Sequence, residues 1–263
     1  MRFTKMQGLG NDYLYVYGEV PENIAELSRK LSDRHFGPGS DGMIYIRPSQ
    51  CADFRMRIFN ADGSEALMCG NGIRCAAKYV YEKNICAKKE MRIETGAGIR
   101  TAALDVKDGI VTSVSVGMGQ AAVKEKLRLT ILGKDYEVIP VSVGNPHAVI
   151  FTDDAEGVPL ETVGPLIEHD PNFPGGVNAE FVQKTGENRL RMRVWERGSG
   201  ITMACGTGAS ASAAAAAAEG LAQKKDPIFV TLDGGVLEIT VSETYEVTMK
   251  GPAEFVFEGE AYL

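Results

Sequence analysis

The chain has 263 residues, 44% of them hydrophobic, and a formal net charge of -7. Acidic and basic residues are mixed with no Lys/Arg block or basic stripe, so nucleic acid is excluded as a first reading. No apolar run approaches the roughly 20 residues that span a bilayer, and the length suits one large core or two domains of about 130 residues.

In chain order, Met1 leads into a polar, strand-like segment without the apolar stretch of a signal peptide. A cytoplasmic protein is therefore expected. Strands are predicted at Tyr13–Tyr17 and Met43–Arg47, on either side of a helix at Glu22–Ser32. Arg55–Asn60 alternates apolar and polar residues as a half-buried strand does. The turn Asp62-Gly63-Ser64 and then Cys69-Gly70-Asn71-Gly72 lead into a helix from about Ile73 to Lys83, with Ala76, Ala77 and Val80 on its apolar face. Strands at Met91–Glu94 and Val111–Val116 follow, and a linker is placed near Gly117–Gln120.

Beyond it lie strands at Tyr136–Val143 and Ala148–Phe151, a helix at Leu160–Glu168, and strands at Ala179–Gln183 and Arg191–Glu196. The turn Gly198-Ser199-Gly200 leads to Cys205-Gly206-Thr207-Gly208. The next helix, Ala209 to Glu219, is rich in the best helix former and ended by Gly220. Strands at Ile228–Leu232, Val236–Val241 and Phe255–Phe257 complete the series.

The chain repeats itself. Arg55-Met56-Arg57-Ile58-Phe59-Asn60 recurs as Arg191-Met192-Arg193-Val194-Trp195-Glu196 at an offset of 136, and Cys69 falls on Cys205 at the same offset. Gly10-Asn11 matches Gly144-Asn145 at 134. The expected fold is α+β: two pseudo-symmetric strand-rich domains, each a mostly antiparallel sheet or barrel around a central helix, with the active site in the cleft between them. Residues 1–117 form one half and 118–250 the other, with the closing strand 251–263 returning to the first.

Five cysteines (Cys51, Cys69, Cys75, Cys86, Cys205) form no CxxC pair. An odd count without a secretion signal predicts free thiols, and three scattered histidines predict no metal site. Cys51, Cys75 and Cys86 read as small buried hydrophobes. Cys69 and Cys205 each stand at a glycine-rich turn into a helix start. Unpaired N–H groups and the helix dipole there lower a thiol pKa and bind a carboxylate. Two opposed thiols suit inversion of a stereocentre, one removing a proton and the other delivering one. No lysine sits in a recognisable pyridoxal site, so no cofactor is implied.

Six segments together resemble the diaminopimelate epimerase family. They are Met6-Gln7-Gly8-Leu9-Gly10-Asn11-Asp12, Phe59-Asn60-Ala61-Asp62-Gly63-Ser64-Glu65, Met68-Cys69-Gly70-Asn71-Gly72-Ile73-Arg74-Cys75, Gly144-Asn145-Pro146-His147, Val177-Asn178-Ala179-Glu180-Phe181, and Glu196-Arg197-Gly198-Ser199-Gly200 running into Ala204-Cys205-Gly206-Thr207-Gly208. The resemblance implies conversion of LL-2,6-diaminopimelate to the meso isomer, for lysine and peptidoglycan, without metal or pyridoxal phosphate. It implies Cys69 and Cys205 as acid and base, supported by His147 and Glu196. Asn11, Asn60, Asn145, Asn178, Glu196 and Arg197 would hold substrate, and the backbone at Gly70, Asn71, Gly206 and Thr207 would cradle the carboxylate.

Two departures stand out. Gly42 replaces a glutamine common in the family, leaving that contact to water or a neighbour. Phe257 replaces a tyrosine of the closing strand, and its ring still suits the homodimer that the resemblance implies. Three other readings remain: a two-cysteine racemase of proline, hydroxyproline or histidine; a thiol redox protein; and a non-catalytic amino-acid-binding protein.

Overall fold

The computed structural model describes residues 1–262, and the chain folds as two compact units. The first takes residues 1–116 and the chain from Gly251 onward; the second takes 117–250. Strands β1 (Arg2–Gly8) and β2 (Asn11–Tyr17), helix α1 (Ile24–Ser32), strands β3 (Gly42–Arg47), β4 (Phe54–Asn60) and β5 (Glu65–Ala66), helix α2 (Gly70–Glu82), and strands β6 (Glu90–Thr95), β7 (Gly98–Lys107) and β8 (Ile110–Gln120) come first. Then follow β9 (Ala122–Val123), β10 (Leu127–Ile131), β11 (Lys134–Ser142), β12 (Pro146–Phe151), α3 (Leu160–Glu168), β13 (Asn178–Gly186), β14 (Arg189–Glu196), β15 (Gly200–Ile201), α4 (Gly206–Ala218), β16 (Ile228–Leu232), β17 (Gly235–Val241) and β18 (Glu246–Gly251). Strand β19 (Glu254–Glu260) rejoins the first unit, antiparallel to β1.

The units repeat one pairing plan. β2 and β3 are parallel, as are β12 and β13. β3–β4 and β13–β14 are antiparallel, β4–β6 and β14–β16 parallel, and β6–β7 and β16–β17 antiparallel again. Strands predominate and most pairs are antiparallel, the α+β arrangement expected from the repeat.

A helix lies at the centre of each unit. α2 is buried from Gly70 through Val80 and packs on β1, β2, β3 and β7. α4 buries Ala213–Ala216 completely and packs on β11, β12, β13, β14, β16 and β17. Alanine favours the helix and projects nothing beyond Cβ, so strands close around it on several sides. Both helices end on a left-handed residue, Asn84 (φ 57) and Gly220 (φ 69), and the N–H groups of Ile85 and Leu221 return to Val80 O and Ala216 O.

The structure corrects three expectations. Gly117–Gln120, where the chain passes from the first unit to the second, is not a loop but the end of β8. Met118 is buried there between Gly117 and Gly119, so the alternation carries the strand onward. Helix α2 starts at Gly70 rather than Ile73, because the Cys69 side chain caps a segment of poor helix formers. Strands β7, β10 and β18, which mix apolar and polar residues, lie outside the predicted series.

Candidate active site

Each cysteine is the N-cap of its unit's central helix, in extended conformation (φ -143 for Cys69, φ -115 for Cys205). The sulfur accepts from the N–H three residues on, Gly72 or Gly208, each at 3.3 Å. A cap leaves the first helical N–H groups, including those of Gly70, Asn71, Gly206 and Thr207, at the end that attracts anions.

In the first unit, the β1–β2 turn passes through Leu9 (φ 59) and Gly10 (φ 83) and sets Asn11 beside the sulfur. Cys69 Sγ donates to Asn11 Oδ1 at 3.5 Å, and Asn11 Nδ2 donates to Asp41 Oδ2 at 2.7 Å. Asp41 also accepts from the Asp12 N–H at 3.0 Å and pairs with Arg34 at 3.0 Å. Burial raises the Asp41 pKa, partly offset by these bonds. Asn60 turns Nδ2 to Ser64 Oγ at 3.1 Å. Asn71 is buried and its Oδ1 accepts from the wholly buried Arg74 at 3.0 Å. Gly42 has φ +154, and a Cβ there would fall on Phe59 O. No side chain fits at that point of the β3–β4 pairing.

In the second unit, His147 and Asn178 are register partners on the parallel strands β12 and β13. His147 Nδ1 lies 2.6 Å from Glu180 Oε1, and its Nε2 lies 3.0 Å from Asn145 Oδ1. Asn145 Nδ2 donates to Thr207 Oγ1 at 3.3 Å, and that hydroxyl is 3.5 Å from Cys205 Sγ. Asn178 accepts from the Arg197 N–H at 3.0 Å and donates to Pro146 O at 2.9 Å, tying the β14–β15 turn to β12. Arg197 reaches Gly175 O at 3.1 Å and lines an open cavity of about 400 Å³ with Glu168, His169, Phe173 and Gly176. Glu196 accepts a short hydrogen bond from Thr202.

A helix start by itself predicts a lowered thiol pKa. At Cys205 the opposite holds. Burial, then the neighbouring acids Glu196 and Glu180, push the thiol well above its ordinary range, and donation from Thr207 and Gly208 offsets this only in part. Cys205 is therefore a thiol at neutral pH. Cys75, buried on α2, is pushed up to about 11, in keeping with a packing role.

The sequence-predicted residues thus gather in two groups, Cys69 with Asn11, Gly70 and Asn71, and Cys205 with Asn145, His147, Asn178, Gly206 and Thr207. Arg197 joins the second group through Asn178. Three acidic residues escape the sequence reading. Asp41 holds Asn11, and Glu180 holds His147. Glu168 accepts from Trp195 Nε1 at 2.7 Å and the Gly198 N–H at 2.9 Å, fixing the turn that carries Glu196 and Arg197. Glu180 alone leaves a sequence signal, a charge inside an apolar strand. Among the described residues, no three His, Cys, Asp or Glu side chains are grouped to hold a metal ion.

The family model for diaminopimelate epimerase matches residues 3–124 and 139–256. A diaminopimelate epimerase of Acetivibrio thermocellus is 49% identical, the match covering 100% of this chain and 99% of that one. One of Methanococcus maripaludis is 46% identical over 99% of each chain. Among solved structures, a probable proline racemase from Agrobacterium radiobacter aligns over 100% of this chain and 93% of its own with a TM-score of 0.78 at 18% identity. A predicted epimerase from Pseudomonas aeruginosa aligns over 100% and 99% with a TM-score of 0.76 at 16% identity. These two likenesses show the fold.

Proposed function

The chain belongs to the diaminopimelate epimerase family, and from that premise we propose that it interconverts LL- and meso-2,6-diaminopimelate by a two-cysteine proton exchange. The observation that carries the mechanism is the duplicated cap: two cysteines, each at a helix start whose N–H groups suit a carboxylate. Cys69, once it has released the proton it shares with Asn11, takes the α-proton of one isomer as a thiolate. The electron pair left on carbon is stabilised by the neighbouring carboxylate, held on the N–H groups of Gly70, Asn71, Gly206 and Thr207. Cys205, held as thiol, returns a proton to the opposite face. The reverse reaction begins with the roles exchanged. Both protons travel on sulfur, so the scheme calls for no cofactor.

Asn11, Asn60, Asn145 and Asn178 supply amides to the substrate, Glu196 pairs with an ammonium, and Arg197 grips a carboxylate with two parallel hydrogen bonds. His147 fixes Asn145. The functional halves are 1–117 and 118–250, with 251–263 joined to the first. The enzyme works in the cytoplasm, in lysine and peptidoglycan precursor synthesis. It works as a homodimer that uses the closing strand, where Phe257 is 43% exposed and packs edge-on against Phe3 at 5.9 Å.

Incubation with LL-diaminopimelate in deuterated water tests the reading. Deuterium should enter the α-carbon as the isomer ratio moves, with reduced thiols and no oxidant. Exchange on proline or hydroxyproline but not on diaminopimelate would favour a related racemase instead. A requirement for oxidant would favour a redox protein, and binding without exchange a non-catalytic one.

A further inference from the structure

Glu180 has no part in the scheme above, yet its carboxyl group lies under the cap of Cys205. It is wholly buried on β13. A Cβ added at Gly208, whose N–H caps the sulfur, would lie 2.8 Å from Glu180 Oε1. That oxygen is the one 2.6 Å from His147 Nδ1, while Oε2 has no hydrogen-bond partner among the described residues.

Both ring nitrogens of His147 face acceptor oxygens, Glu180 Oε1 on one side and Asn145 Oδ1 on the other. A neutral imidazole carries a single N–H. The arrangement therefore holds one proton beyond a carboxylate and a neutral ring, shared across the 2.6 Å contact. A partnerless buried oxygen costs far less on a neutral acid than on a carboxylate. The shared proton thus rests on Glu180 Oε1 and donates to Nδ1, leaving Nε2–H to donate to Asn145. From there the donors can run to the sulfur: Asn145 Nδ2 donates to Thr207 Oγ1, and the Thr207 hydroxyl, 3.5 Å from Sγ, has its proton to give to a thiolate.

We propose that Glu180 is a positioning residue whose shared proton allows Cys205 to become a thiolate during turnover, and whose loss of that proton locks Cys205 as a thiol. This rests on Cys205 being a proton carrier. When the pair loses the proton, Glu180 becomes a carboxylate, Nδ1 keeps its hydrogen and Nε2 becomes an acceptor. Asn145 must then turn Nδ2 toward the ring and Oδ1 toward Thr207, whose hydroxyl leaves the sulfur. The new carboxylate also opposes a second negative charge nearby. Hydrogen-bond direction and charge act in the same sense. The titratable groups facing the thiol are Glu180 from β13 and Glu196 from β14, with His147 of β12 behind Glu180.

The test is an ultraviolet difference titration, the enzyme minus its Cys205→Ala variant, which reads thiolate at Cys205 alone and needs no substrate. Glu180→Gln keeps the shape, can donate to Nδ1 and cannot become an anion. It should lower the Cys205 midpoint by at least about one pH unit, tenfold in ionisation constant. Glu180→Ile, which copies Ile44 at the equivalent place in the first unit, should move it the same way and decides the matter if the Gln variant does not fold. An unchanged or higher midpoint in the folded variant overturns the proposal. If Cys205 is not the proton carrier, that appears separately, as inversion retained by Cys205→Ala.

Discussion

In both units a cysteine sulfur sits 3.3 Å from the backbone N–H three residues on, but what stands behind the cap differs. A Cβ at Gly72 would meet the Ile44 methyl at 2.7 Å, whereas one at Gly208 would meet the Glu180 carboxyl at 2.8 Å. Tyr13 occupies the place of His147, and Asn60 the place of Glu196. Duplication has preserved the backbone device that presents a thiol at a helix start. The side chains around it have diverged in charge, and burial, followed by the acidic neighbours of the second cap, holds its thiol protonated. A two-base inversion needs that inequality, since one group must begin with the proton and the other without it.

The largest expected effect treats the two caps alike. Cys69→Ala and Cys205→Ala should each lower inversion by at least about a thousandfold, because each face needs its own proton carrier. The readout is α-carbon deuterium together with isomer ratio. Full inversion in either variant would show that the paired caps are not the reacting groups.

A second change makes the halves more alike. Glu196→Asn installs the residue found at Asn60. It should lower kcat/KM roughly 10- to 100-fold, the cost of losing a charge-assisted hydrogen bond of about 1.5–3 kcal/mol. It should also lower the Cys205 midpoint, because the Glu196 carboxylate is among the causes that raise it. A folded variant whose midpoint stays where it was would remove Glu196 from the account of the asymmetry.

Sequence and structure agree where a backbone device repeats and part where side chains meet across strands. The offset between Cys69 and Cys205, the glycines after each and the alanines of α4 are local, and they announce the duplicated helix caps. The left-handed Asn84 that ends α2 is as local but carries no periodic signal. Glu180 lies on another strand than His147, and Asp41 in the bend before β3 rather than on β2 with Asn11, so no spacing in the chain marks them. The glycines of β8 misled for a related reason. Glycine reads as a break, but buried Met118 keeps that strand in register with its sheet.

Arg197 has no counterpart at the first cap, where Ala61 stands at the equivalent place. Arg197→Lys keeps the charge and loses the paired donors, so KM for diaminopimelate should rise about tenfold with kcat less affected. A kcat loss at unchanged KM would assign Arg197 to the chemical step instead of the grip.

The smallest effect is also the most direct comparison of the caps. At Gly72 an added methyl meets first the free end of Ile44, which can rotate away, and then Cys69 Sγ at an ordinary 3.4 Å. At Gly208 it meets Glu180 Oε1, already fixed by His147 at 2.6 Å, and then Cys205 Sγ at 3.2 Å. Alanine gains helix propensity at both sites, so Gly72→Ala should be close to neutral. In Gly208→Ala, overpacking of about 1–3 kcal/mol outweighs that gain. Each net kcal/mol lowers the melting temperature by about 2–4 °C in a chain of this size. Thermal unfolding of the two variants side by side measures how rigid the Glu180–His147 pair is. Equal melting temperatures would mean that Glu180 yields as readily as Ile44, and that the second cap is no more tightly built than the first.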